Sequence, residues 1–214
     1  MPRLPDPPHD EPLGLVLQWL DDGARDAGQR NPAAMALATA DADGRPSVRL
    51  VLLKSVSTEG GYGVFYTNRQ SRKGLELGVN PRAAGALYWE RLGRQLRLEG
   101  PVAPSPDDES DAYYATRPHG SRINAWVSAQ SRPIDAHAEL RERAETKARE
   151  LATATQIPRP PFWGGYRLWF EVVEFWMEGA DRLHERLCYR RALTALDHGR
   201  GFAAGPWRSQ LLQP

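Results

Sequence analysis

The chain has a single cysteine, Cys188, among 214 residues, so no disulfide can close within it. With no second thiol and only five scattered histidines, a zinc site has no ligand set either. Net charge is nearly absent: 28 basic against 27 acidic residues leave +1, too little to draw the protein to nucleic acid or an anionic membrane. No apolar run approaches the ~18–20 residues that cross a bilayer, and the opening Met1 to Pro8 has neither an apolar signal core nor a cleavage pattern. The glycine-rich turns of nucleotide hydrolases and dinucleotide binders are missing, as are internal repeats. These absences predict a cytoplasmic protein with no metal, no nucleic-acid partner and no membrane partner. Any anion it binds must be held by a local cluster of cations.

What is present suffices for one core. Residues 1–11 are proline-rich and charged, which predicts a flexible arm, and residues 12–214 read as one domain. Leu13, Val16, Leu17, Leu20 and Ala24 carry helical periodicity, with Gly28 as a left-handed cap. Strands are expected from Met35 to Ala40 and Ser47 to Lys54, around a turn at 41–44, then over 64–67, 83–89 and 95–99. Ser71 would cap a short helix that turns Leu75 and Val79 inward. Ser105 would cap another, with Pro106 at its first position. An irregular segment over 123–131, a helix from about Ile134 to Thr153 with Glu139–Arg143 and Glu145–Arg149 pairs, and a strand over 167–175 complete the outline. Several short strands joined by tight turns make the class mainly β, an antiparallel barrel or sandwich with flanking helices.

Four groupings bring cations together, some with hydrogen-bond donors. Arg49 and Lys54 sit near the two ends of an apolar strand, and Arg72 and Lys73 crowd a helix N-terminus, where positive charge opposes the dipole unless an anion is bound. Tyr113, Arg117 and Ser121 offer a phenol, a guanidinium and a hydroxyl around one helix end, donors suited to phosphate. In the run from Val173 to Arg186, Arg182, His184 and Arg186 would share one face if the backbone is extended. Taken alone, those three fit a solvated basic turn better than a ligand site.

These pieces, with Tyr66-Thr67-Asn68, Ser71-Arg72-Lys73-Gly74, Gln130-Ser131 and Pro161-Phe162-Trp163-Gly164-Gly165-Tyr166, resemble the pyridoxine/pyridoxamine 5'-phosphate oxidases in order and over nearly the whole chain. The resemblance implies an FMN-binding split β-barrel, antiparallel and Greek-key-like, and a homodimer with its sites between subunits. It also implies oxidation of pyridoxine or pyridoxamine 5'-phosphate to pyridoxal 5'-phosphate by O2, with peroxide, and ammonia from the amine, as products. By the same resemblance Arg49, Leu50, Val51, Leu52, Leu53, Lys54, Tyr66, Thr67, Arg72, Lys73, Gln95, Gln130, Ser131, Trp176 and Arg186 would bind FMN. Lys54, Tyr113, Arg117 and Ser121 would grip the substrate phosphate, and Arg182 and His184 would lie over the substrate ring as the catalytic pair. Departures are Met177, Asn124 and the ending Leu211-Leu212-Gln213-Pro214, which lacks the family's usual arginine. The alternatives are a related FMN oxidase acting on another ring, of the phenazine-pathway type, against which Lys54, Tyr113, Arg117 and Ser121 speak, and a flavin-binding protein without turnover, against which Arg182 and His184 speak.

Overall fold

The computed structural model describes residues 3–26, 28–152, 154, 156–196 and 201–214. Helix α1 (Leu13–Arg25) buries Leu13, Val16, Trp19 and Gly23. The stripe expected through Leu17 is therefore rotated. Trp19 packs edge-on against Phe175 at 5.0 Å and Trp89 at 6.5 Å, while Leu17 stays exposed. A buried indole outweighs a leucine in apolar area and sets the helix rotation. The expected left-handed cap is absent as well: Asp26 leaves the helix extended, and Gly28 N–H bonds Asp26 Oδ1 at 3.2 Å.

Strands β1 (Ala34–Ala40) and β2 (Pro46–Leu52) form the expected hairpin, with Gly44 at φ 77° in its turn. Short β3 (Ser55–Ser57) and β4 (Tyr62–Asn68) pair next, and helix α2 (Arg72–Val79) follows. Strands β5 (Arg82–Trp89) and β6 (Arg94–Pro104) make a second long hairpin. Three helices come after it, α3 (Asp107–Ala115), α4 (His119–Val127) and α5 (His137–Glu150). The remainder is β7 (Trp163–Trp169), β8 (Val172–Met177), β9 (Glu185–Arg190), β10 (Leu193–Ala195), β11 (Phe202–Ala204) and β12 (Arg208–Leu212).

The antiparallel order β2-β1-β5-β6-β7-β4 curls round the core, and the chain closes the gap between its ends by running from β2 through Lys54 into β3. Strand β6 serves two sheets: residues 94–99 pair with β8, and residues 102–104 pair with β7. Gly100 is the joint, because a Cβ there would collide with the Trp169 carbonyl. Beyond β8, strands β9 and β12 extend the sheet as a wing. Leu37, Phe65, Leu87, Leu96, Leu168 and Phe175 fill the middle, all without measurable exposure.

Several local expectations differ from this frame. The single strand over 167–175 is two, broken at Phe170 and Glu171, whose N–H groups bond the Gly61 carbonyl in the β3–β4 turn and the Glu99 carbonyl on β6. The segment over 123–131 is not irregular throughout, since α4 covers its first half; Tyr114 Oη bonds the Arg122 carbonyl at 2.8 Å and Trp126 Nε1 the Pro158 carbonyl at 2.8 Å. Those tertiary ties offset the weak propensity of a helix containing Gly120 and Asn124. Pro106, not Ser105, is the N-cap of α3. Helix α5 buries no residue, and Arg149 bonds Thr146 Oγ1 in place of Glu145; its expected end at Thr153 lies outside the described residues. Among residues 3–11, Leu4 is buried in the core cluster and its N–H bonds Glu185 Oε2 at 2.9 Å.

Candidate functional site

Helix α2 reaches the sheet through its polar side. Leu75 and Val79, expected inward, are 51% and 63% exposed, while Lys73, Gly74, Glu76 and Leu77 are buried. Gly74 lets α2 lie against the Arg69 carbonyl, where a Cβ would collide, and this contact sets the rotation that brings Lys73 inside. Lys73 Nζ donates to Thr67 Oγ1 (3.0 Å), Ser71 Oγ (3.1 Å) and Gln130 Oε1 (2.9 Å), all neutral. Burial, followed by repulsion from Arg49, lowers its pKa to about 8 against the upward pull of Glu76. Ser71 does not cap α2 with its side chain; its Oγ donates to the Asn68 carbonyl at 2.7 Å. Lys73 opens on a cavity of about 470 Å³ lined also by Arg49, Leu50, Val51, Tyr66, Thr67, Arg72, Gln130 and Ser131.

A cavity of about 480 Å³ adjoins it and shares Tyr66, Thr67 and Gln130 as walls. Leu52, Lys54, Tyr113, Arg117 and Ser121 converge here. Tyr66 stacks on Tyr113 at 3.9 Å and on Trp163 at 5.6 Å, nearly parallel in both cases. Burial first, then the nearby Glu109, pushes the Tyr66 phenol up to about 12, so it stays a neutral donor. The Arg117 guanidinium lies 4.6 Å from the Trp163 ring and 5.6 Å from Tyr114, and its Nη1 is buried with no hydrogen-bond partner. Burial lowers the Arg117 pKa, opposed by Tyr114 and Tyr113. Arg117 makes no ion pair among the described residues. A desolvated cation held on aromatic faces with an empty donor suits an incoming anion.

The remaining expected residues gather on the wing. Gln95 faces Trp176 across β6 and β8, and Trp176 faces Arg186 across β8 and β9. Glu174, 5% exposed, accepts Arg186 Nε (3.0 Å) and Nη2 (2.8 Å) on one oxygen and Arg97 Nη1 (3.0 Å) on the other. The extended arrangement expected over 182–186 is replaced by a turn. Asp181 and Arg182 both have positive φ (53° and 66°), and Leu183 N–H bonds the Ala180 carbonyl at 2.9 Å. That turn folds the His184 ring to 4.6 Å from Trp176, with Nδ1 accepting the Gly179 N–H at 3.2 Å. Gly179 is required, because a Cβ would strike the Leu183 carbonyl.

Fourteen of the expected positions thus line the two cavities, and five sit on the wing. Along the sheet, β2 and β8 are separated by β1, β5 and β6, on the order of 19 Å at ~4.8 Å per strand. Leu53 lines neither cavity and packs in the core. The sequence reading passed over Glu76, Trp163, Asn124 and Ser128 as lining or holding residues, and over Glu174 on the wing. The acids carried a legible signal, Glu174 as a charge inside an apolar strand and Glu76 one helical turn after Arg72.

Residues 22–148 match the family model described as Pyridoxamine 5'-phosphate oxidase, and residues 163–214 match the Pyridoxine 5'-phosphate oxidase C-terminal dimerisation region. The chain is 48% identical to the Pyridoxine/pyridoxamine 5'-phosphate oxidase of Cupriavidus taiwanensis over 84% of this chain and 82% of that protein. It is 46% identical to the Rhodospirillum rubrum protein of the same name, over 89% and 95% of the two chains. Among solved structures, PhzG from Burkholderia lata 383, in complex with tetrahydrophenazine-1-carboxylic acid, is 36% identical with a TM-score of 0.83 over 98% and 95% of the two chains. A pyridoxamine 5'-phosphate oxidase-related, FMN binding protein from Nostoc punctiforme shares the fold, at 16% identity and a TM-score of 0.69 over the full length of both chains. No helix among the described residues is long and apolar enough to cross a membrane. With both regions matched and close to half of its residues shared with these relatives, the chain belongs to the pyridoxamine 5'-phosphate oxidase family.

Proposed function

We propose that the protein is an FMN-dependent oxidase converting pyridoxine 5'-phosphate and pyridoxamine 5'-phosphate to pyridoxal 5'-phosphate with O2 as acceptor, and that two copies of the chain build each site. The observation that carries this reading is the pair of adjoining cavities, each with a buried cation that only neutral groups contact, Lys73 in one and Arg117 in the other. Two phosphates, one on the cofactor and one on the substrate, would satisfy both. Bound FMN supplies the two-electron redox chemistry, and the protein supplies position and charge.

Arg49, Arg72, Lys73, Gln130 and Ser131 would hold the cofactor's phosphate end, with Leu50, Val51, Leu52, Leu53, Tyr66 and Thr67 beside it. Lys54, Tyr113, Arg117 and Ser121 would grip the substrate phosphate. The wing of a second copy would bring Gln95, Trp176 and Arg186 to the cofactor and Arg182 and His184 over the substrate ring. Support for that partner comes from the matched dimerisation region and from β2, whose outward Val48, Leu50 and Leu52 are 69%, 71% and 38% exposed. Because His184 Nδ1 accepts the Gly179 amide, its Nε2 is left to face the substrate as a proton donor, and Arg182 would stabilise negative charge there. The lone buried Cys188 suits a reducing cytoplasm.

The similarity to PhzG favours one other reading, a related oxidase acting on a different ring. A ring without phosphate has no use for Arg117, Lys54, Tyr113 and Ser121 together, which is why the phosphorylated substrate is preferred. The deciding experiment records the flavin spectrum of the purified protein and measures peroxide and aldehyde from pyridoxine 5'-phosphate. Yellow protein with stoichiometric products is expected. Protein that takes up no FMN sinks the reading, and bound FMN without aldehyde transfers it to the other ring.

A further inference from the structure

An acid lies directly behind the cations assigned to the flavin phosphate. Glu76 is 4% exposed and takes hydrogen bonds from four side chains on three elements. Thr39 Oγ1 on β1 donates to Oε2, and Ser47 Oγ on β2 reaches Oε2 at 2.7 Å and Oε1 at 2.9 Å. Arg49 Nη2 lies 3.2 Å from Oε2, and Arg72 Nε lies 2.8 Å from Oε1. Burial alone would raise this carboxyl, but the bonds from Thr39, Ser47, Arg72 and Arg49 outweigh it and hold the pKa at about 2. Simple electrostatics makes an anion behind an anion site a handicap. Its place needs a reason.

We propose that Glu76 is a positioning residue for flavin binding, the buried carboxylate that presets Arg49 and Arg72 for the cofactor's phosphate; the proposal rests on the FMN reading above. Three observations support it. Arg72 has a side chain 60% exposed, and Glu76 is the one acid it pairs with among the described residues, so without Glu76 a long flexible guanidinium is left loose. Arg49 has both Nη groups committed to Glu76, Ser47, Thr39 and the Leu37 carbonyl, a cage that Glu76 anchors through Thr39 and Ser47 as well. Glu76 is also the group that pulls the Lys73 pKa upward against burial and Arg49. Removing it therefore lowers the Lys73 pKa further while the cluster loses its geometry.

The test is the dissociation constants of FMN and riboflavin for the apoprotein, read by flavin fluorescence, in wild type and Glu76→Gln. Their ratio isolates the phosphate. The expected result is an FMN affinity weakened roughly 10-fold to 100-fold, the equivalent of one charge-assisted hydrogen bond, with riboflavin unchanged within about twofold. Equal weakening of both flavins would make Glu76 a structural tie between α2 and the sheet and overturn the proposal; so would tighter FMN binding. Glu76→Asp, which keeps the charge but cannot reach both arginines, should lower the ratio too and covers the case in which the Gln variant fails to fold. A double mutant with Arg72→Ala should be non-additive on FMN affinity, and strict additivity counts against positioning. A wild type that binds neither flavin overturns the FMN reading along with this one, whereas a wild type that prefers FMN and a Gln variant that keeps the preference overturns this one alone.

Discussion

Replacing Arg117 by alanine should separate binding from stability, because the structure makes this cation costly at rest. Its Nη1 is buried without a partner, and leaving such a donor unpaired costs about 1–3 kcal/mol. Its contacts with Trp163 and Tyr114 return about 0.5–2 kcal/mol each. These nearly cancel, so Arg117→Ala should move the unfolding midpoint of the protein without substrate by no more than about 4 °C in either direction. Toward a phosphate the balance changes, since the empty donor and its neighbour would both bond a dianion. Losing charge-assisted bonds worth about 1.5–3 kcal/mol should raise KM for pyridoxine 5'-phosphate roughly 10-fold to 150-fold, with a smaller effect on kcat because the phosphate is remote from the reacting carbon. Steady-state peroxide production and differential scanning calorimetry on the same preparations check the two halves. A fall in Tm beyond about 10 °C with unchanged KM would refute the reasoning and make Arg117 a structural residue.

Lys73, with its pKa lowered to about 8, is protonated below that pH and neutral above it. Phosphate favours the protonated form, so FMN affinity should fall as pH rises through about 8, above the range, about pH 6, where the flavin phosphate itself titrates; Lys73→Arg should abolish the fall in a fluorescence titration across pH. Leu50 projects from β2 at 71% exposure, so Leu50→Glu should change the stability of a single chain by only about 0.5 kcal/mol, yet sedimentation should find monomer, with FMN lost on gel filtration. At Gly100 a methyl group meets the Trp169 carbonyl, so Gly100→Ala should destabilise by about 2 kcal/mol or more, read as a lower urea midpoint at unchanged slope.

Much of the β framework was legible because its cues are local. Alternating burial along β1 follows the sequence from Ala34 to Ala40, and Gly44 and Gly61 adopt the positive φ that their turns require. Where two local solutions compete, the sequence alone is ambiguous. Leu75 and Val79 fit a helical inner face as well as Lys73 and Glu76 do, and the burial of a lysine and a glutamate follows only from the partners waiting on β1, β2 and β4. The run over 167–175 has a single strand pattern, yet β7 and β8 part company because β6 offers them different lengths of edge on either side of Gly100.

By itself, the sequence determined the chemistry this protein holds: the residues, their order and their charges, sufficient to recognise its family and to nominate every cation of both cavities and most of their other polar groups. Only the tertiary structure decided how those groups are divided. It placed Arg49, Lys73 and Arg117 around two joined cavities at one end of the curled sheet, and Gln95, Trp176, His184 and Arg186 on a wing that begins three strands from β2. It also turned Arg182 out of the shared face that an extended backbone would have given it. The physical reason is that spacing along a chain reports the face of one element, whereas distance between elements is set by which strand edges pair and by where long side chains such as Glu76 and Glu174 find their counter-charges.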